Sequence, residues 1–141
     1  MSAPNMPKLL IYSNSAGFRE RVRMAIGTSP AAGVDDIDYV EVGDSYSVNA
    51  LVDRGGIDLL VLDGEAWPAG GMGVARELKN SRRVSPPIIV VIGRNDDRWL
   101  AKWSQADAAI VEPVDHVELT DTVVSLLRGE PVGAGTTKET L

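Results

Sequence analysis

The chain has no cysteine, so neither a disulfide framework nor thiolate chemistry is open to it. Histidine occurs once, at His116 beside Asp115, with no serine nucleophile motif near it, and this residue reads as a surface histidine at a helix start. Aromatic residues make up only 5% of the 141 positions and include a single phenylalanine. Basic residues are also in deficit, at 14 against 20 acidic, for a formal net charge of −6. Nucleic-acid backbone and anionic membrane surfaces both call for clustered Lys and Arg, so neither is expected as a partner. No apolar run approaches the ~20 residues of a membrane-spanning helix, and residues 1–7 lack the apolar stretch of a signal peptide. The glycine-rich segment from Glu65 to Gly73 has neither GxGxxG spacing nor a terminal Lys-Ser/Thr, and it reads as a flexible loop, not a phosphate cradle. These absences leave a soluble, cytoplasmic, single-domain protein with no cofactor and no enzymatic motif.

What is present is organised around Ile57 to Gly64, IDLLVLDG. Apolar residues on consecutive positions suit a strand buried on both faces, in the middle of a parallel sheet. Asp63 then falls at the strand's C-terminal end, where open α/β sheets place their chemistry. An aspartate that opens a turn fits the same spacing.

The rest of the chain alternates in kind. Lys8 to Ser13 is a first buried strand, and Ser15 can cap a helix on which Phe18, Val22 and Ile26 recur every four residues up to Gly27. Ser29 to Asp36 is a loop. Ile37 to Val42 alternates apolar and polar residues, as an edge strand does, and a helix from about Tyr46 to Arg54 follows. Gly73 to Ser81 has helical spacing, Ile88 to Ile92 is another fully buried strand, and Asn95, Asp96 or Asp97 can cap a helix running to about Gln105. Ala108 to Val111 is a short fifth strand, and Asp115 caps a last helix ended by Gly129. Five strands and five helices in alternation imply a flavodoxin-like α/β fold, a five-stranded parallel sheet in the order 2-1-3-4-5. The expected organisation is a leader at 1–7, one domain at 8–129 and a flexible tail at 130–141.

The chain resembles the receiver domain of bacterial response regulators from about Lys8 to Arg128. The residues that carry the resemblance are the central strand ending in Asp63, the loop with Pro68, Gly70 and Gly71, the Pro-led fourth strand, and Pro113 after the fifth. The resemblance implies that Asp63 is the phosphoacceptor equivalent, served in the family by a histidine kinase. It also implies departures. The acidic pair that holds Mg²⁺ falls on Ser13 and Asn14, the switch hydroxyl on Ile92, the lysine on Glu112 and the switch aromatic near Ala109. The Glu112-Pro113 bond is expected to be cis, as its counterpart is in receivers.

The segments LLIYSNS, LDGEAWPAGGMG, IGRNDDRWLAKWS and EPVD resemble, more narrowly, actinobacterial orphan receivers that stand alone without an output domain. Some of these are associated with the respiratory NADH:quinone dehydrogenase, complex I. The resemblance thus implies an accessory subunit of a larger assembly, brought to the membrane only through that partner, and not a signalling phosphoacceptor. The alternative is a response regulator phosphorylated on Asp63 by a histidine kinase in a two-component pathway. Trp99 and Trp103, four residues apart on one helix face, either pack on a neighbouring helix or anchor a partner. Beside Asp63, either Arg94 neutralises the site or Glu112 turns outward.

Overall fold

Five short strands, each four or five residues long, form one parallel sheet in the order β2-β1-β3-β4-β5. The computed structural model describes residues 6–31, 34, 36–82 and 84–130. Most of the expected leader, part of the loop after Ser29 and the tail beyond Glu130 lie outside the described residues. The strands are β1 (Lys8–Tyr12), β2 (Asp38–Val42), β3 (Leu59–Asp63), β4 (Ile88–Ile92) and β5 (Ala108–Val111). The helices are α1 (Ala16–Ile26), α2 (Ser45–Arg54), α3 (Gly71–Ser81), α4 (Arg98–Trp103) and α5 (His116–Leu127).

Every residue of β3 and β4 is buried, as their uninterrupted apolar runs require, whereas β2 at the edge leaves Asp38 and Glu41 exposed. Because side chains alternate along a strand, the sheet divides the core in two. Leu10, Tyr12, Leu60, Leu62, Val90 and Ile92 point to one face, where Val48 of α2 and Val74, Ala75 and Leu78 of α3 cover them. Leu9, Ile11, Leu59, Val61, Ile89 and Val91 point to the other, covered by Phe18, Val22 and Ile26 of α1 and by Leu119 and Val123 of α5. Each such fully buried side chain contributes roughly 1.5–3 kcal/mol. A charge at Val22 or Val90 therefore breaks the layer it enters.

The helix ends follow from their chemistry. Ser15 accepts the Phe18 N–H and Asp115 accepts those of Val117 and Glu118, so both are the expected caps. Gly27 ends α1 at φ 80°, a conformation glycine adopts without steric penalty. The structure corrects other boundaries. α2 begins at Ser45, because the Asp44 side chain caps the Ser47 N–H. α3 begins at Gly71, two residues earlier than expected, and α4 is only six residues long after a single 3-10 turn over Asn95–Asp97.

Register then sets the site. Tyr12 pairs with Leu62 across β1 and β3, which brings the next residues, Ser13 and Asp63, face to face at the C-terminal edge. Gly71 holds α3 against that same point, since a β-carbon there would lie 2.6 Å from the Asp63 carbonyl oxygen and 2.9 Å from Leu62 Cβ. Only glycine fits at such a distance.

Candidate functional site

Asp63 is 6% exposed, and both of its carboxylate oxygens are hydrogen-bonded. Ser13, itself fully buried, donates its hydroxyl to Asp63 Oδ2 at 2.8 Å. The backbone N–H of Glu65 donates to Oδ1 at 2.8 Å, closing a turn at the end of β3. The Ser13 oxygen in turn accepts the Ser15 N–H at 2.9 Å. Among the described residues no buried side-chain nitrogen or oxygen lacks a partner.

The neighbouring loops are tied to one another by side chains. Asn14 Oδ1 accepts the Trp67 N–H at 2.7 Å, a bond spanning 53 positions. The Tyr12 hydroxyl donates to the Ala69 carbonyl. Burial of the Tyr12 ring, followed by the negative charges of Asp44 and Asp63, holds its pKa above the ordinary value. Arg19 donates to the Ser13 carbonyl and pairs with Glu41 at 3.2 Å. The segment read as a flexible loop is thus fastened at Glu65, Trp67 and Ala69, and its last three residues are already helix.

On the opposite side of Asp63, Ile92 is fully buried and Glu112 is half-buried. The Glu112 N–H continues the sheet by donating to the Ile92 carbonyl at 2.9 Å, and the Glu112-Pro113 bond is cis, as expected. Trp67-Pro68 is also cis, which the sequence reading did not anticipate. Arg94 does not turn toward Asp63: it pairs with Asp97 at 3.2 Å, and its side chain is 73% exposed. The Asp97 hydrogen bond and charge, with Asp96 and more weakly Glu65, raise the Arg94 pKa further. Glu65, which the sequence reading passed over, lays its carboxyl over Gly93, where an added β-carbon would meet Glu65 Cδ at 3.3 Å.

The two tryptophans of α4 differ. Trp103 packs beneath Arg76 of α3, whose guanidinium carbon lies 4.6 Å from the ring centroid and which donates to the Trp103 carbonyl at 2.7 Å. Trp99 is 66% exposed. His116 lies at the exposed start of α5.

A divalent cation would require hard oxygen ligands at this edge. The donors beside Asp63 are a hydroxyl already given to the aspartate and an amide oxygen already given to Trp67. Among the described residues no group of three His, Cys, Asp or Glu side chains is placed to hold a metal ion. This set of residues does not fit Mg²⁺.

No family model matches the chain. An uncharacterized response regulatory protein of Mycobacterium tuberculosis, in strains H37Rv and CDC 1551, is 50% identical over 121 residues, 86% of this chain and 91% of that one. Among solved structures, the receiver domain of the Francisella response regulator 1452 superposes with a TM-score of 0.72 at 18% identity, covering 87% of this chain and 98% of that one. A CheY-like receiver domain protein from Methanospirillum hungatei gives 0.70 at 15% identity, covering 88% and 95%. The response regulator of a heme-sensing two-component system gives 0.71 at 21% identity, covering 97% of this chain but 64% of that one. At these identities the structural likeness shows the fold alone.

Proposed function

The chain belongs to the response-regulator family, with the fold of its receiver domain, and from that premise we propose that it is an orphan pseudo-receiver that works without phosphorylation. In this reading it is an accessory interaction subunit of a larger protein assembly, with respiratory complex I the named partner. The observation that carries the reading is the closed environment of Asp63, whose two oxygens are taken by Ser13 and by the Glu65 N–H.

Phosphoryl transfer to a carboxylate builds negative charge on the transferred group, and positioned cations and donors must meet it. Here the position nearest β1 offers Ser13 and Asn14 where a metal site needs carboxylates. Ile92 brings no hydroxyl, and Glu112 brings a second anion where a cation would be needed. Arg94, just past the end of β4, is engaged with Asp97. A phosphoryl group on Asp63 would therefore add charge to a site that offers neither a metal-binding carboxylate pair nor a facing cation. The aspartate is better explained as the clasp that ties β1 to β3.

A protein with this site acts through its surface. Trp99 and Trp103 remain candidate partner contacts on α4, and of the two Trp99 has the larger free area. Complex I is supported by the four sequence segments that resemble the orphan group. No helix among the described residues is long and apolar enough to cross a membrane, so attachment to a respiratory complex would run through protein contacts.

Two experiments test the proposal. Treatment with acetyl phosphate and Mg²⁺, followed by rapid intact-mass measurement, is expected to leave the protein unmodified. Affinity purification of the tagged chain from its native host is expected to recover complex I subunits. A phosphoryl adduct lost in Asp63→Asn, or recovery of a histidine kinase alone, establishes the rival reading of a two-component phosphoacceptor.

A further inference from the structure

The loop after β3 presents its tryptophan in an unusual way. Trp67 is 75% exposed, more than either tryptophan of α4, yet its backbone is held by Asn14 and the Ala69 carbonyl is held by Tyr12. Its neighbour Ala66 is buried, and the Ala66 N–H donates to the Asp63 carbonyl at 3.1 Å. Because the loop backbone beneath the indole is already fastened, covering the ring costs side-chain rotamer freedom but little backbone freedom. Tyr46, 82% exposed at the start of α2, lies at the same edge of the sheet, next to Asp44.

On the loops that leave the C-terminal ends of the strands, acidic residues outnumber basic ones. Asp44, Glu65 and Glu112 all stand on these loops. Of the nearby arginines, Arg19 is engaged with Glu41 and the Ser13 carbonyl, Arg94 with Asp97, and Arg98 donates to the Asn95 side chain. A second copy of this acidic chain would bring like charge to like, and an anionic group would meet the same repulsion. Guanidinium has the opposite charge and stacks flat on indole, which an ammonium does less well.

We propose that the C-terminal edge of the sheet, centred on Trp67, is a docking surface for a basic segment of a protein partner, with an arginine stacked on the exposed indole. This rests on the interaction-module reading and deepens it, placing a contact on the edge where phosphoryl chemistry would otherwise sit. Its anchor is Trp67 and not the α4 tryptophans.

The test titrates the full chain, ¹⁵N-labelled, with two fluorescent synthetic peptides of equal length, one arginine-rich and one with every arginine replaced by glutamate. The arginine peptide is expected to bind, to move the Trp67 indole resonance, and to weaken as salt is raised. Trp67→Ala is expected to lower its affinity by ~10-fold or more. Trp67→Phe, which keeps an aromatic face, should lose less, and a Trp99→Ala, Trp103→Ala double variant should leave it unchanged. Unmoved amide resonances elsewhere in Trp67→Ala show that the fold is kept. Equal binding of the glutamate peptide, unchanged affinity in Trp67→Ala, resonance shifts confined to α4, or self-association through Trp67 would each overturn the proposal. Phosphorylation of Asp63 with peptide binding intact would instead remove the pseudo-receiver reading and leave this surface standing.

Discussion

Replacing Ser13 by alanine removes one atom, and that atom serves two partners. The hydroxyl donates to Asp63 Oδ2 and accepts the Ser15 N–H, inside a site where Ser13 is fully buried. A hydrogen bond to a charged group contributes about 1.5–3 kcal/mol, and a neutral one about 0.5–1.5. Ser15 lies at the exposed start of α1, where water can replace the lost acceptor, so the Asp63 bond dominates. The expected loss is about 2 kcal/mol. With a urea dependence of ~2 kcal/mol per molar for a domain of this size, the unfolding midpoint should fall by about 1 M at unchanged slope. A double-mutant cycle with Asp63→Ala isolates the pair and should return a coupling of about 1.5 kcal/mol or more. A Ser13→Ala effect within ~0.5 kcal/mol of zero, the range of an ordinary surface change, would refute the view of Asp63 as a structural clasp.

Other substitutions test the packing around this clasp. Gly71→Ala should destabilise by about 1–3 kcal/mol, because its β-carbon meets backbone that cannot move aside, whereas Gly73→Ala, with nothing within 4 Å, should stabilise the same helix by up to about 1 kcal/mol; urea midpoints of opposite shift check both. Tyr12→Phe keeps the buried ring but gives up the bond to the Ala69 carbonyl, and should cost about 1 kcal/mol and increase amide exchange at Trp67 and Ala69. Tyr39 donates its hydroxyl to the Gly27 carbonyl, and burial raises its pKa well above the ordinary phenol range, a shift that Arg23 opposes. Since the folded form holds this proton more tightly, its contribution is complete below pH ~10 and is lost as pH rises beyond that. Urea titrations on either side should show the decline, and Tyr39→Phe should reduce it.

The fold was legible because its strands announce themselves. IIVVI and AAIV occupy β4 and β5 at the residues expected, and Ser15, Gly27 and Asp115 bound their helices as their side chains dictate. Ends set by tertiary contact were not legible. The start of α3 depends on Gly71 lying against the Asp63 carbonyl, a reason that appears only when the sheet is assembled. The short α4 follows a 3-10 turn over three polar residues, any of which fits a capping pattern. At the site, sequence pointed to the residues but not to their bonds. Ser13 with Asp63 and Asn14 with Trp67 are partners 50 and 53 positions apart, joined only by the β1–β3 register. Glu65 and Trp67 carried no periodic signal and no assigned role within the segment LDGEAWPAGGMG, being loop residues whose importance lies in what they touch.

The central claim, that the residues around Asp63 have closed it to phosphoryl chemistry, is tested most directly by amide NMR in millimolar beryllofluoride with Mg²⁺, a mimic of the phosphorylated carboxylate. The native chain should show unmoved resonances for Asp63, Gly64 and Glu65. A variant carrying Ser13→Asp, Asn14→Asp, Ile92→Thr and Glu112→Lys together restores the carboxylates, hydroxyl and cation, and should show shifts at those residues. A saturable, Mg²⁺-dependent shift of the Asp63 amide in the native chain would contradict the account.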